Sequence, residues 1–327
     1  MHMADALISP AVAGAFWAVS AGAIVCSSRR IESQGETGAP LAGVMAAFVF
    51  AAQMINFSIP GTGSSGHLGG GLLLAILLGK HRGFLAIASV LLVQSLFFAD
   101  GGLLAYGCNV FNMGFIPAFI LLPLYQMIVN GHTNRRRITT ASFICAILGA
   151  SLGAMCVVLQ TTLSGITALP PRFFLLAMLP IHIVIGSVEG IITGAIVLFV
   201  RNQLPEAYRD SNTWAPFPLK KLLISLTLFI AAVVSLFASS HPDGLEWSIQ
   251  RLTGSPDVAS VEKGSHLFFS HFQKITAFLP DYQFKHAAET ATVVKMGTSV
   301  SGVVGALLTL LLVACIFLVL RKKSVAR

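Results

Sequence analysis

The 327-residue sequence is 55% hydrophobic and only 10% charged, and its mean hydropathy is +0.81. Soluble globular domains carry about 25% charged residues, so this composition excludes a soluble fold and indicates an integral membrane protein. The five cysteines stand singly in apolar segments without a C-x-x-C pair, which argues against a zinc finger and a disulfide framework.

Nine apolar segments are candidates for membrane-spanning helices. They cover residues 8–27, 41–59, 68–79, 83–99, 111–130, 138–162, 173–200, 222–239 and 298–320. The third would form only about 18 Å of helix, and we predict it as short or tilted because the basic groups of GKHRG at 79–83 require a turn. The pattern predicts an all-α, polytopic membrane helical bundle of about seven spans, followed by a two-span C-terminal module with a large extracytoplasmic loop.

The basic residues indicate how the chain crosses the bilayer. With the N-terminus outside, 15 of the 21 Lys and Arg residues fall in predicted cytoplasmic loops, as the positive-inside rule requires. This placement explains the net charge of +8 without nucleic acid. The first arginine is Arg29, so we expect no cleavable signal peptide.

The predicted topology divides the chain into three parts. Residues 1–205 contain spans joined by short loops, and the polar residues 206–219 read as a cytoplasmic linker. Residues 220–327 then form a helix, a long outside loop and a final helix.

A glycine-rich stretch, GTGSSGHLGGG at 61–71, lies in a predicted outside loop. It matches G-x-G-x-x-G by letter, but its flanks are predicted membrane spans instead of a βαβ unit, and the region near position 86 reads FLAIAS without an acidic residue, so a dinucleotide site is rejected. It also lacks the P-loop lysine, because His67 stands at that position. The loop is predicted either to present His67 at a span entrance or to be a packing turn with an incidental histidine.

The chain begins MHMADALISP, with a histidine directly after the first methionine. The Met1 amine, the His2 amide nitrogen and the His2 ring Nδ1 can form two fused chelate rings in one plane, and His67 can close the fourth corner. Planar nitrogen ligation favours Ni(II) or Cu(II), and Co(II) is also possible. The alternative is that a histidine at position two has no function.

Other polar residues in or near the spans are candidates for the surroundings of such a site. His182 and Glu189 are seven residues apart and share a helix face. The alternatives for them are a link through a chain of hydrogen bonds, a place in the lining of a cavity, a contact with a partner subunit, or a purely structural pair. Asp5 either orients the His2 ring or caps the first helix. Three asparagines near the outside ends of spans are candidates for hydrogen bonds to the N-terminal loop: Asn56, Asn109 and Asn112.

Two further patterns concern packing and the surface. Gly186, Gly190 and Gly194 have the G-x-x-x-G spacing that lets membrane helices approach closely, and we expect them to pack within this chain. We interpret the histidines of the outside loop as surface residues. They are His241, His266, His271 and His286.

Four motifs together resemble the CbiM/NikM family, the substrate-binding membrane components of energy-coupling-factor (ECF) ABC transporters for cobalt and nickel. They are MHMADALISP, INFSIPGTGSSGHLGGGLL, FFADGGLLAYGCNVFNMG and HIVIGSVEGIITG. HPDGLEW at 241–247 resembles the small NikN/CbiN component, fused here as in NikMN proteins. The resemblance covers nearly the whole chain.

The resemblance implies that three residues of this sequence capture the metal: Met1, His2 and His67. It also implies a prokaryotic cytoplasmic membrane, a transmembrane coupling subunit similar to CbiQ/NikQ and an ATPase subunit similar to CbiO/NikO. The metal would be the transported substrate, with no organic cofactor and no enzymatic activity in this chain. The opening MHM-ADAL resembles the nickel branch, so Ni(II) is expected and Co(II) is the alternative. A metal-gated channel and an intramembrane metalloenzyme remain remote alternatives, and no H-E-x-x-H motif is present.

Overall fold

A computed structural model of the chain describes residues 2–33, 39–131, 134–203, 217–256, 258, 263–285 and 291–325. Met1 and most of the predicted linker lie outside these ranges. The helices are α1 (Pro10–Ser33), α2 (Ala39–Gln53), α3 (Gly71–Leu78), α4 (Lys80–Phe97), α5 (Tyr106–Val110), α6 (Leu122–Val129), α7 (Arg135–Ser164), α8 (Pro171–Gln203), α9 (Phe217–Ala232), α10 (Gly244–Thr253), α11 (Gly264–Thr276) and α12 (Ala291–Val325). Strands β1 (Phe57–Ile59) and β2 (Ser64–Gly66) form the hairpin of this otherwise helical chain.

The helical membrane fold is confirmed. Six helical segments in the described ranges are long and apolar enough to span a bilayer: Pro10–Glu32, Tyr106–Val129, Arg135–Ser164, Pro171–Asn202, Lys220–Phe237 and Thr292–Leu320. The segment Tyr106–Val129 is continuous through a π-helical part, Phe111–Leu121, which contains Pro117, a residue that cannot donate a backbone hydrogen bond.

The predicted second span, 41–59, is too long, because α2 ends at Gln53 and the chain turns into the β-hairpin. The predicted turn in GKHRG consists of Gly79 alone, which has a φ of 80°, and α4 starts directly after it. Since α3 has 8 residues, it rises only about 12 Å. The segment between α2 and α3 therefore enters the bundle from the end at which α2 finishes. From there α3 continues to the opposite end, where His81 of α4 contacts Ser27 of α1.

We call residues 54–70 the re-entrant loop, because they lead the chain back into the bundle after α2. The loop reaches the middle of the bundle. Gly70 N–H donates to the carboxylate Oε1 of Glu189 at 2.9 Å, and Glu189 lies near the centre of α8. Irregular backbone is tolerated at membrane depth only where it is buried in protein or lines a cavity. Both conditions hold here, because the β2 strand is buried and a cavity adjoins it.

Helices α7 and α8 pack closely through the predicted glycine pattern. A Cβ on Gly186 would stand 2.7 Å from Ile147 Cα, and one on Gly190 would stand 2.6 Å from Phe143 Cα. At Gly194 the nearest atom, Thr139 Cα, is 3.4 Å away, which is ordinary contact. Two of the three glycines are thus required for helix packing within this chain.

The C-terminal part packs onto the preceding bundle. A Cβ on Gly43 of α2 would stand 3.3 Å from Leu310 O of α12, and one on Gly302 of α12 would stand 3.0 Å from Ala231 O of α9. Between α9 and α12, helices α10 and α11 cover the end of the bundle at which α1 and α5 begin. His266 of α11 is buried, and its Nε2 lies 2.9 Å from Ile8 O. The prediction that it is a surface residue is wrong.

We expect Gly190→Ala to destabilise the chain by about 1–3 kcal/mol, because the new methyl group overlaps the α7 backbone. Gly22→Ala on α1 is the matched control, since a Cβ there meets nothing within 4 Å. The measurement is thermal unfolding of the purified protein in detergent. A melting temperature of Gly190→Ala equal to or above that of Gly22→Ala would show that the contact is not tight.

Candidate metal centre

The N-terminal segment is held at a fixed position by α5 and by the loop that precedes it. Met3 N–H donates to Asn109 Oδ1 at 2.8 Å, and Asn109 Nδ2 donates back to Met3 O at 3.2 Å. Gly102 N–H donates to the same carbonyl at 2.8 Å. Met3 itself is fully buried. These three bonds fix the backbone one residue after His2.

The carboxylate beside the His2 ring is that of Asp100 and not that of Asp5. Asp5 Oδ1 accepts from Ala105 N–H at 2.9 Å, so Asp5 holds the N-terminal segment to the bundle. The carboxylate next to the His2 ring is that of Asp100, whose Oδ1 lies 3.2 Å from His2 Nδ1. Burial raises the pKa of Asp5, although backbone donors at Ala105 oppose the shift.

The His67 side chain is presented by the re-entrant loop directly against His2. The two imidazole rings stack with their centroids 5.3 Å apart and their planes 14° from parallel. His67 Nδ1 lies 3.1 Å from Leu68 O. The structure therefore brings together two residues that are 65 positions apart, as the predicted site requires.

Both rings are electron-pair donors near neutral pH. Burial lowers the pKa of His67 to about 4. It also lowers the pKa of His2, although Asp100 acts in the opposite direction. The His2 side chain is 6% exposed, and its Nε2 has no hydrogen-bond partner among the described residues. Neutral imidazole is the form that binds transition metals.

Above the two rings lies a vestibule, a cavity of about 560 Å³ between the N-terminal bundle and the C-terminal part. Its wall is acidic. The carboxylates in its lining are Asp100, Asp243, Glu246 and Asp281, and the lining also contains His2, His67, His241 and Lys295. A cavity of this kind attracts cations.

The C-terminal part forms one side of the vestibule through hydrogen bonds to the re-entrant loop. Ser65 N–H donates to Pro242 O at 2.8 Å, and Ser239 N–H donates to Asn56 O at 2.7 Å. Trp247 Nε1 donates to Thr62 O at 2.9 Å. The motif HPDGLEW and Ser239 just before it therefore contact the histidine-bearing loop.

The other side of the vestibule is closed by Tyr282, whose hydroxyl donates to Asp100 Oδ2. Burial raises the pKa of Tyr282, and the Asp100 charge adds to the shift, so the phenol remains a donor. Asp100 is thus held between Tyr282 and the His2 ring.

The remaining predicted residues have separate positions. Asn56 lines the vestibule. Asn112 exchanges two hydrogen bonds with Gln160, at 2.9 and 3.0 Å, and its Nδ2 also donates to Met3 Sδ of the N-terminal segment at 3.9 Å. His182 and Glu189 do not bond each other in the described hydrogen bonds; His182 Nδ1 lies 2.7 Å from Met178 O, and Glu189 binds the loop at Gly70.

Sequence reasoning missed two residues of the site. One is Asp100, which stands in FFADGG next to two glycines that leave room for the N-terminal segment. A Cβ on Gly101 would stand 3.2 Å from His2 Cβ. Asp243 was visible only as part of HPDGLEW, and its side chain caps α10 by accepting from Leu245 and Glu246 N–H at 2.8 and 2.9 Å.

The fold and this site define a multi-pass membrane protein in which a buried histidine pair lies beneath an acidic vestibule. Residues 2–207 match the family described as CbiM, the cobalt uptake substrate-specific transmembrane region, and residues 220–322 match the PDGLE domain. The chain belongs to the CbiM family and carries a PDGLE domain in the same polypeptide. Relatives that match along most of the chain are named as transport proteins.

Curated relatives match either along the whole fused chain or along its first part. The chain is 32% identical to a putative fused nickel transport protein, NikMN, of Archaeoglobus fulgidus, over 95% of this chain and 96% of the relative. It is 29% identical to a probable fused nickel transport protein, LarMN, of Lactiplantibacillus plantarum, over 96% of both chains. A cobalt transport protein, CbiM, of Sorangium cellulosum is 29% identical over 63% of this chain and 93% of the relative.

A solved structure supports the same assignment. The crystal structure of a truncated transition metal transporter is 26% identical in sequence and superimposes with a TM-score of 0.55. The match covers 62% of this chain and 99% of that chain.

We expect His67 to make the stability of the metal-free protein depend on pH. Its folded pKa of about 4 lies below the ordinary value of 6.5, so between these pH values the unfolded chain binds a proton that the folded chain excludes. Above about pH 6.5 His67 has no effect, and stability falls as the pH decreases toward 4, by about 2 kcal/mol at pH 5.

The measurement is thermal unfolding in detergent at about pH 7.5 and pH 5, for the wild type and His67→Gln. The substitution should remove this part of the acid destabilisation. His271→Gln is the control, because this histidine of α11 is exposed. Equal acid destabilisation of the wild type and His67→Gln would contradict the expected pKa.

Proposed function

We propose that this chain is the substrate-capture component of an ECF-type ABC importer and that it binds Ni(II) outside the cell for ATP-driven uptake. The observation that carries the proposal is the stacking of His2 and His67 at the floor of an acidic vestibule. The carboxylates concentrate a divalent cation, and the two neutral imidazoles bind it where water is excluded. Co(II) uptake by the same chemistry is the second candidate.

The donor set that we propose includes backbone nitrogen. Within the described ranges, no group of three or more His, Cys, Asp or Glu side chains could hold a metal ion, so the two imidazoles need further ligands. The Met1 amine and the His2 amide nitrogen supply them in the chelate proposed from the sequence. His2 Nδ1 faces Asp100 in the structure, so chelation through Nδ1 replaces this contact with a bond to the metal.

The remaining carboxylates and amides would support these ligands without touching the ion. Asn109 holds the Met3 backbone, and Asp5 holds the segment that follows. Groups of this kind orient metal ligands and contribute about 10–100-fold to affinity.

The distribution of basic residues between the two ends of the bundle supports an orientation of the chain in the membrane. The vestibule lies at the end where α1 begins, whereas most basic residues lie in or beside the turns at the opposite end, among them Arg29, Arg135 and Arg201. By the positive-inside rule that opposite end is cytoplasmic. The vestibule and the N-terminus are then extracytoplasmic, the C-terminus is cytoplasmic, and the chain lies in a prokaryotic cytoplasmic membrane.

The proposal requires partner subunits, because the sequence contains no Walker A lysine motif. A transmembrane coupling subunit similar to CbiQ/NikQ and an ATPase subunit similar to CbiO/NikO would supply the energy. Nickel is favoured over cobalt because the relatives that match along the fused chain are named as nickel transport proteins. The cobalt transport protein described above matches only 63% of the chain.

We expect His2→Ala and His67→Ala each to weaken Ni(II) binding by at least a hundredfold while the protein stays folded, since each removes one imidazole ligand. The measurement is isothermal titration calorimetry of the purified chain, with unfolding temperature as the check on folding. His271→Ala, an exposed histidine outside the site, should bind as the wild type does. Undiminished Ni(II) binding by both site variants would rule out the proposed centre.

We further expect vesicles that contain the chain and its coupling and ATPase partners to accumulate labelled nickel only when ATP is supplied. The reason is that a capture subunit releases its ion only when the partners change its conformation. The His67→Ala complex is the control and should not accumulate nickel. Nickel flux without ATP would instead favour a metal-gated channel.

A further inference from the structure

A second, much smaller cavity lies on the inner side of His67. It measures about 20 Å³, enough for one water-sized guest, whereas the vestibule measures about 560 Å³. Its lining includes His67, His182, Glu189, Asp243, Gly244 and Met113. His67 and Asp243 line both cavities, so an ion held at His67 is adjacent to the inner cavity.

His182 offers an unused electron pair to this inner cavity. Its Nδ1 lies 2.7 Å from the carbonyl oxygen of Met178, and a carbonyl oxygen only accepts, so Nδ1 carries the proton and Nε2 carries the lone pair. His182 is 1% exposed, and its Nε2 has no partner in the described part of the chain. A buried acceptor without a donor is destabilising, so the position favours a bound guest.

The ring edge of His182 points to the start of α10. A Cβ on Gly244 would stand 3.0 Å from His182 Cε1, the carbon between the two ring nitrogens. Only glycine therefore lets the PDGLE segment approach the imidazole this closely. Asp243, the residue before it, lines the same cavity.

The side chains that line the inner cavity favour a cation as its guest. Two imidazoles and two carboxylates face the cavity, and no Lys or Arg occurs in its described lining. Of the two carboxylates, Glu189 binds the Gly70 N–H and anchors the loop. Imidazole nitrogen favours nickel, copper, zinc and iron over magnesium or calcium, and the small volume favours an ion without its hydration shell.

We propose that the inner cavity is a second metal-binding station, in which His182 Nε2 and the Asp243 carboxylate receive the dehydrated ion after it leaves the His2–His67 site. This inference rests on the proposed function. The station has fewer protein ligands than the first site, so it binds the ion more weakly. Weaker binding lets an ion in transit leave again. The PDGLE segment supplies one of its ligands, so the C-terminal module takes part in transfer.

The test compares the wild type with His182→Ala and His182→Gln. Glutamine can donate its amide to Met178 O but offers no imidazole nitrogen. Ser187→Ala, on an exposed face of the same helix, is the matched control. Ni(II) titration should show one tight and one weaker equivalent in the wild type and in Ser187→Ala. Both His182 variants should keep the tight site within about twofold and lose the weaker one.

ATP-driven nickel uptake by the assembled complex is the second readout. We expect both His182 variants to lose at least tenfold in uptake, with the tight site unchanged. The proposal is overturned if the wild type binds a single equivalent, if the variants keep the weaker one, if uptake is unaffected, or if both variants lose the tight site. A failure of the proposed function would give a different result, because the wild type itself would then lack the tight site.

Discussion

The site depends on the hydrogen bonds that hold the N-terminal segment to α5 and to the loop before it. Asn109 binds both backbone groups of Met3, and Gly102 binds the same carbonyl. A chain terminus is ordinarily the most mobile part of a protein, and ordering it costs about 1–2 kcal/mol of backbone entropy per residue. These buried bonds offset that cost and hold His2 in a fixed position.

The second half of the site comes from irregular backbone placed inside the bundle. The re-entrant loop brings His67 to His2, and its polar groups are satisfied by Glu189 of α8 and by the PDGLE segment through Ser65. A carboxylate at membrane depth is costly unless it is bonded. The bond from Gly70 to Glu189 therefore explains why an acidic residue occupies the centre of an apolar helix.

Much of this architecture could be predicted from the sequence. Apolar runs located the spans, and the glycine spacing located the contact of α7 with α8. The positions of His2 and His67 suggested a shared ligand set because the topology places both at one end of the bundle. The depth of the re-entrant loop was not predictable, since apolar residues at 54–59 continue the composition of α2 although the chain leaves the helix at Gln53. The pairing of Asp100 with His2 depends on tertiary contacts that leave no periodic signal.

The central claim is that backbone and imidazole nitrogens together bind the ion at the start of the chain. It is tested most directly by X-ray absorption and magnetic susceptibility of the Ni(II)-loaded protein. A planar set of four nitrogen ligands makes Ni(II) diamagnetic, and the account predicts this state, with its loss in His67→Ala. A paramagnetic, six-coordinate ion bound mainly by oxygen would contradict the account.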